Sequence, residues 1–238
     1  MSCNKRMLSA GAAPFVNSQN FGALLYTGDD SSGRALTGLG FQPDFVWVKP
    51  RNQNENHTLH DSTRGSTNQL ASNSSAAARE QGNTIQSFDA DGFTVNGDNN
   101  INKNGINYVA FCWRANGGTT STNTDGSINT TVQTNANSSF SIIAWTGNGT
   151  AGATIGHNLG ATPDMFIVKK RSAGSTNWRT YHKDSHPSAP EDYNLEINGL
   201  TPAEDRTEWN DTAPTSSVFS VSDHDSVNEN GSDYICYA

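Results

Sequence analysis

GLGFQPDFVWVKPR, residues 38–51, returns as NLGATPDMFIVKKR at residues 158–171. In both copies a Gly and a Pro precede four consecutive apolar residues, Phe45–Val48 in the first and Met165–Val168 in the second. A short strand that is apolar at consecutive positions presents apolar side chains on both faces and belongs inside a packed structure. The stretch therefore predicts a buried central strand, and its recurrence predicts that the chain builds the same fold twice.

The duplication extends on both sides of this stretch. Upstream, YTG at 26–28 returns as WTG at 145–147; downstream, FTVNGDNNINKNGINYVAF at 93–111 returns as FSVSDHDSVNENGSDYICY at 219–237. A tandem repeat divides the chain into structural units and lets each residue be compared with its counterpart. Chemistry that only one copy carries is therefore not required by the shared scaffold.

Turn signals within each copy predict the type of fold. Asn104–Gly105 recurs as Asn230–Gly231, and Asn-Gly between strand-like runs predicts a hairpin because both residues tolerate positive φ. Short strands separated by frequent turn residues are typical of antiparallel sandwiches. Helical signal is confined to residues 71–81 and 201–209. The predicted fold class is all-β, with two homologous antiparallel β-sandwich lobes and an N-terminal arm.

The repeat also sets the predicted domain boundaries. Residues 1–22 precede the first copy and form a predicted N-terminal docking arm, 23–115 form the first β-sandwich repeat, and 140–238 form the second. The intervening residues 116–139 are rich in Thr, Asn and Ser and poor in apolar side chains, which is typical of a linker. We therefore predict a Thr/Asn-rich connector there.

Composition excludes several classes of function. Charged residues make up 16% of the chain and the formal net charge is −8, whereas nucleic-acid and anionic-membrane surfaces need clusters of Lys and Arg. The apolar runs are far shorter than the roughly 20 residues that span a bilayer. The sequence therefore predicts a soluble protein without nucleic-acid binding, membrane insertion or a secretory signal.

Several motifs in order carry a resemblance to a known family. In the second copy they are the run from NTDGSINTT to DMFIVKKR (123–171), NWRTYHKDS (177–185), WNDTAPTSSVFSV (209–221) and NENGSDYICYA (228–238). In the first copy they are GLGFQPDFVWVKPR (38–51), LHDSTRG (59–65), SFDADGFTV (87–95) and NYVAFCWRA (107–115). Together they resemble a tandem-repeat domain of bacteriophage tail-fibre and virion surface proteins, over residues 24–238.

The resemblance implies a concanavalin-like or jelly-roll sandwich fold. It also implies a protein that is synthesised in the bacterial host cytoplasm and located on the virion surface. It implies contacts with other virion proteins through the N-terminal arm, and the phage context predicts a homotrimer. We therefore expect a non-enzymatic bacteriophage virion structural protein, part of the tail fibre or host-adsorption apparatus. The alternatives are a capsid decoration (cement) protein that binds neighbouring coat subunits and, more weakly supported, a polysaccharide depolymerase.

The resemblance brings no catalytic residues, and the residues themselves offer little. His60, Asp61 and Ser62 are the residue types of a hydrolytic triad, but neighbouring strand residues point to opposite faces. A depolymerase needs two carboxylates at a separation of about 5–9.5 Å. The acids available in the second copy show no such pattern: Glu191, Asp192, Glu196, Glu204, Asp205 and Glu208. We predict neither enzymatic activity nor a cofactor.

FDADGF, residues 88–93, resembles a fragment of a calcium loop because alternating carboxylates followed by Gly supply hard oxygen ligands. The second copy has Thr215 and Ser217 in place of Asp89 and Asp91. A tight acidic turn before a strand is therefore the preferred interpretation, with these two carboxylates kept as weak metal candidates.

Carbohydrate binding is the site-level function expected of a phage adhesin. The copies diverge at 53–87 and 172–213, where any binding specificity is expected. The second of these segments carries four aromatic residues whose faces can stack on sugar rings: Trp178, Tyr181, Tyr193 and Trp209. The alternative is that they fill the core of their lobe. The predicted external partner is a host-surface glycan or receptor.

Overall fold

The computed structural model describes residues 15–16, 19–135, 137, 139–172 and 174–238. Most of the predicted N-terminal docking arm lies outside the described residues. Within it, Phe15–Val16 forms a short strand that pairs antiparallel with the first long strand of the chain.

Strand β1 lies in the predicted arm, and strands β2 to β10 build the first repeat. They are β1 (Phe15–Val16), β2 (Phe21–Thr27), β3 (Arg34–Thr37), β4 (Phe45–Pro50), β5 (Thr58–Asp61), β6 (Asn68–Ala71), β7 (Arg79–Glu80), β8 (Ile85–Asp89), β9 (Gly92–Val95) and β10 (Asn107–Trp113). Seven form a large sheet in the order β1-β2-β10-β4-β5-β6-β7, and the order β3-β9-β8 forms a small one.

The remaining strands, β11 to β20, follow in the second half of the chain. They are β11 (Ser121–Asn123), β12 (Thr130–Asn135), β13 (Phe140–Thr146), β14 (Ala153–Gly156), β15 (Met165–Lys170), β16 (Arg179–His182), β17 (Tyr193–Asn194), β18 (Glu204–Asp205), β19 (Val218–Val221) and β20 (Asp233–Tyr237), with a 3₁₀ turn at Pro190–Asp192 and helix α1 at Asp225–Asn228. The large sheet has the order β11-β12-β13-β20-β15-β16, and β14-β19 and β17-β18 form two-stranded sheets. The predicted all-β, antiparallel fold class is confirmed. No helix in the described ranges is long and apolar enough to cross a membrane.

The sequence repeat corresponds to a repeat of strand order. The order β2-β10-β4-β5 recurs as β13-β20-β15-β16, and the pair β3-β9 recurs as β14-β19. Register is kept as well, because Tyr26 lies opposite Tyr108 in the first large sheet and Trp145 lies opposite Tyr234 in the second. Residues can therefore be compared between the copies position by position.

Each large sheet buries one face against the small sheet of its own repeat. Alternation along β4 points Val46 and Val48 into a core that also contains Phe93 from β9. In the second repeat, Val168 on β15 and Phe219 on β19 occupy the equivalent places.

The Asn-Gly dipeptides connect strands of different sheets, so the predicted hairpins are wrong. Strand β9 pairs with β3 and β8 in the small sheet, whereas β10 pairs with β2 and β4 in the large one. The glycines still form the predicted turns, because both adopt the positive φ that Gly tolerates, 77° at Gly105 and 76° at Gly231. Sequence detected the turn, but the pairing partners of the flanking strands are set by tertiary packing.

A tyrosine anchors each of these connections. Tyr108 stacks on Tyr26 with ring centroids 5.1 Å apart, and Tyr234 stacks on Trp145 at 5.3 Å. Each hydroxyl accepts a bond from one backbone N–H of the connection and donates to one backbone carbonyl: Lys103 N and Asn99 O for Tyr108, Glu229 N and Asp225 O for Tyr234. The connections are therefore held by the same interaction twice.

A third core joins the repeats through the other faces of the two large sheets. Phe45 of β4 stacks on Tyr237 of β20 with ring centroids 4.2 Å apart and on Phe140 of β13 at 6.0 Å. The buried residues of this core are Phe45, Leu59, Leu70 and Ala115 from residues 23–115, with Phe140, Ile142, Trp178, Ile235 and Tyr237 from 140–238. Burying one large apolar side chain contributes about 1.5–3 kcal/mol relative to its exposure. The two copies are therefore packed together through a substantial apolar contact.

Residues 116–139 differ from the linker that their composition indicates. They contain strands β11 and β12, which extend the second large sheet beyond β13. Val132 and Gln133 of β12 are both buried. Thr-rich, weakly apolar sequence forms an ordered edge here because the neighbouring strand supplies the ladder of hydrogen bonds.

We expect Phe45→Ala to destabilise the protein by about 3–5 kcal/mol, because it removes a ring from the third core. Met165 occupies the equivalent position in the second repeat but is 40% exposed, whereas Phe45 is 4% exposed. Met165→Ala is the matched control and should cost about 1 kcal/mol or less. Urea unfolding of both variants measures the difference, and equal losses would contradict the assignment of Phe45 to the third core.

Candidate functional site

An apolar groove opens where the two large sheets diverge. Its volume is about 300 Å³. We call it the inter-sheet groove, and its lining residues are Phe45, Trp47, Leu59, Trp113, Ser139, Phe140, Met165, Ile167, Ile197, Tyr237 and Ala238.

Strand alternation places aromatic rings along this groove. Phe45 and Trp47 lie on the face of β4 opposite to the inner core, and Trp113 lies beside Phe45 on β10, with ring centroids 5.2 Å apart. Trp47 and Trp113 are half-buried, so parts of their rings face solvent. The consecutive apolar residues of β4 are the sequence signal for this surface, although they do not reveal how much of it the other repeat covers.

A buried polar cluster borders the groove. Asp61 accepts a hydrogen bond of 2.7 Å from the Tyr237 hydroxyl of the other repeat and forms an ion pair with Arg64. Arg64 also donates to the same hydroxyl at 3.2 Å. Burial raises the pKa of the Tyr237 phenol well above its usual range. The cluster holds the two repeats together and keeps its charges away from solvent.

Asp44, which follows the repeated proline, is a second polar contact point. It is fully buried, and its carboxylate accepts four hydrogen bonds at 2.7–2.9 Å, from the backbone N–H groups of Ala115, Gly117 and Gly118 and from the Ser62 hydroxyl. These bonds fix the chain where it leaves β10. The counterpart, Asp164, is exposed, so the shared Pro-Asp dipeptide has this role only in the first repeat.

Three of the four predicted sugar-binding aromatics are in the protein interior. Trp178 is 0%, Trp209 is 1% and Tyr181 is 4% exposed. Trp178 also donates its indole N–H to the carbonyls of Ala71 (3.0 Å) and Ser74 (3.1 Å). Because stacking on a sugar needs a solvent-facing ring, the prediction of carbohydrate binding is wrong for these three residues, which fill cores instead.

Tyr193 remains at the surface. It is half-buried, and its ring lies parallel to that of His186 with centroids 4.4 Å apart. The four predicted aromatics are therefore not gathered into one binding surface.

The predicted metal ligands are engaged by protein donors. Asp89 accepts hydrogen bonds of 2.7 Å from the hydroxyls of Ser87 and Thr94, and Asp91 accepts bonds from the backbone N–H groups of Gly38 and Gly40. In the part of the chain that the structure describes, no group of three or more His, Cys, Asp or Glu side chains is arranged to hold a metal ion. The acidic turn ties the β8–β9 connection to the loop before β4.

The triad-like residues of β5 point in different directions. His60 is buried on the inner face, where its Nδ1–H donates to the Ser66 carbonyl at 2.8 Å, whereas Asp61 lies on the face towards the second repeat. Ser62 donates to Asp44. By strand register, the counterpart of His60 is Tyr181 rather than His182, because Phe45 pairs with Asp61 and Met165 pairs with His182.

Two carboxylates of the second repeat meet on one guanidinium. Glu196 forms an ion pair with Arg179, and Glu208 lies 3.2 Å from the same side chain. All three side chains are largely buried. Two of the six acids available for a glycosidase pair, Glu196 and Glu208, are therefore used in an ion-pair cluster within the protein.

The fold and its contacts define an antiparallel β-protein whose two homologous halves share a core. The chain belongs to a family described as a domain of unknown function (DUF7483), whose model matches residues 16–238. One match spans both copies, so the unit that defines the family is the duplicated pair. No curated protein and no solved structure matches the chain.

Asp44→Asn should destabilise the protein by about 2–3 kcal/mol, because the amide replaces one acceptor oxygen by a donor that faces backbone N–H groups. Asp164→Asn, at the exposed counterpart, should change stability by no more than about 0.5 kcal/mol. Denaturant melts of both variants give the comparison. A large loss in both would show that the Pro-Asp dipeptide acts equally in the two repeats.

The buried histidine predicts a loss of stability in acid. Burial and the neighbouring Arg64 lower the pKa of His60 to about 4, despite its bond to Ser66 and the nearby Asp61. The unfolded chain takes up a proton as pH falls through about 6.5, whereas the folded chain does so only near 4, so stability is lost across this window, by about 3 kcal/mol at most. His60→Leu should flatten the pH profile of the unfolding free energy between about pH 6.5 and 4. An unchanged profile would show that His60 does not cause the loss of stability in acid.

Proposed function

We propose that this protein is a non-enzymatic structural protein of a bacteriophage virion, in the tail fibre or host-adsorption apparatus. One observation carries the proposal: many of the side chains that offer chemistry in the sequence are engaged in contacts within the protein. The His60–Asp61–Ser62 run, the Glu196 and Glu208 carboxylates and the buried aromatics all stabilise packing between strands or between repeats. Such an arrangement suits a scaffold.

Surface composition and sequence resemblance support the same proposal. The chain has a net charge of −8 with few charged residues, which suits a polar particle surface rather than nucleic-acid packaging. Both copies carry the ordered motifs that resemble phage tail-fibre repeats. The duplicated family unit suits a module that is built into a larger assembly.

The burial of Trp178, Tyr181 and Trp209 favours a second placement, that of a capsid decoration protein. A glycan reader needs exposed aromatic faces, whereas a protein that binds coat subunits does not. The inter-sheet groove is lined mainly by apolar side chains, which favours contact with protein over contact with a sugar.

Immunogold labelling of particles from the phage or prophage that encodes the chain tests the proposal. We expect gold on the tail tips or fibres, and pre-incubation of host cells with the purified protein should reduce adsorption of the particles. Gold on the capsid without an effect on adsorption would select the decoration role. Particles without the protein would overturn both placements.

The same protein preparation tests for depolymerase activity. Incubation with host surface polysaccharide should release no reducing ends above the level given by heat-denatured protein. Release that the native protein alone produces would contradict the non-enzymatic proposal.

A further inference from the structure

The first large sheet leaves part of its outer face open. Strand register places Leu25 of β2 opposite Val109 of β10, and places Phe111 of β10 between Ala23 of β2 and Trp47 of β4. We call these five residues the β2–β10 face. Leu25 is 40% and Phe111 is 36% exposed, and Ala23, Trp47 and Val109 are half-buried.

This face brings two exposed large hydrophobic side chains together. Among the described residues, the exposed large hydrophobic side chains are Leu25, Phe111, Met165 and Leu200. Two of these four lie in adjacent rows of the β2–β10 face, on the same side of the sheet. Contiguous exposed apolar surface marks a place of interaction, whereas isolated exposed residues need no explanation.

The second repeat shows the same face in a covered state. The counterparts of Leu25, Val109 and Phe111 are Ala144, Ile235 and Tyr237, in the same register on β13 and β20. Ile235 is 0% and Tyr237 is 5% exposed, and both belong to the third core together with Leu59 and Leu70 of the first repeat. In the second repeat, the large sheet of the first repeat covers this face.

The two repeats thus use different halves of equivalent sheets. The first contributes mainly β4, β5 and β6 to the third core, whereas the second contributes mainly β13 and β20, with Trp178 ahead of β16. Trp113 of β10 and Ile167 of β15 pack at its margin. Such a contact is heterologous, because non-equivalent surfaces of the two repeats meet. It covers the β13 and β20 half of the second large sheet but leaves most of the equivalent β2 and β10 half of the first large sheet uncovered. Two of the three open positions nevertheless carry larger or less polar side chains than the covered ones, Leu against Ala and Phe against Tyr, whereas Val109 is smaller than Ile235.

We propose that a second copy of this chain covers the β2–β10 face. The face is continuous with an existing sheet-to-sheet contact, since Trp47 and Trp113 pack against the third core and Trp113 lies 6.5 Å from Phe111 between ring centroids. It carries no carboxylate, and Lys49, which lies opposite Val109, is the charged side chain at its edge. Two chains of net charge −8 therefore meet there without opposing acids. This inference does not depend on the proposed function.

Light scattering coupled to gel filtration tests the proposal with the full chain. The wild-type protein should elute with at least twice the chain mass of 25.5 kDa. Phe111→Asp and, separately, Leu25→Asp should reduce the mass to that of one chain, because each places a carboxylate in the contact. Leu200→Asp is the matched control, since Leu200 is fully exposed elsewhere, and it should leave the mass unchanged.

Circular dichroism and thermal melts establish that each variant is folded, and Leu25→Ser provides a milder change if Phe111→Asp does not fold. A wild-type mass of one chain would overturn the proposal, as would an oligomer that both Asp variants leave intact. Removal of residues 1–14 tests whether the N-terminal segment, and not a second copy of the chain, covers the β2–β10 face. If the wild type is monomeric and the shortened chain self-associates, the N-terminal segment covers the face and the proposal is wrong.

Discussion

The structure depends on covering the outer faces of its two large sheets. A sheet that is apolar on one face needs one packed layer to bury that face. Strand β4 carries apolar side chains at four consecutive positions, so both of its faces are apolar and each needs a layer. The small sheet of the first repeat covers Val46 and Val48. The large sheet of the other repeat covers Phe45, and duplication of the chain thus supplies the missing layer.

That contact explains why equivalent residues have acquired different roles. Lys49 is exposed, whereas Lys169 is fully buried and donates to the carbonyls of Ser75 (3.0 Å) and Thr176 (2.8 Å). Desolvation lowers the pKa of Lys169 to about 8. The amine of Lys169 therefore meets the first repeat at Ser75, whereas the amine of Lys49 lies at the surface. Identity between the copies therefore shows shared ancestry and shared strand geometry, but not shared environment.

Much of the fold was predictable from local sequence. The repeat predicted that the fold occurs twice, and the short strands separated by frequent turns predicted the all-β class. The hairpins at the Asn-Gly turns were not predictable, because a turn signal specifies local φ and not which sheet the next strand joins. The helical signals also failed: residues 71–81 and 201–209 contain short strands, whereas the described helix lies at Asp225–Asn228.

The proposed sugar site failed for a related reason. An aromatic residue in a divergent segment is equally compatible with a ligand surface and with a core, and only its distant partners decide between them. For Trp178 the deciding partners are the Ala71 and Ser74 carbonyls, more than 100 residues away in the chain. No local pattern around Trp178 contains that information.

Divergence between the copies has the same physical origin. The segments in which the repeats differ most, 53–87 and 172–213, meet each other in the structure. The Ser75 and Ser175 hydroxyls are 2.6 Å apart, the Thr176 N–H donates to the Ser75 carbonyl, and the Trp178 indole N–H donates to the Ala71 carbonyl. In a heterologous contact the copies present non-equivalent surfaces, so equivalent positions in the two copies pack against different neighbours. Divergence at these positions is therefore accounted for by the fit between the repeats, and a ligand is not needed to explain it.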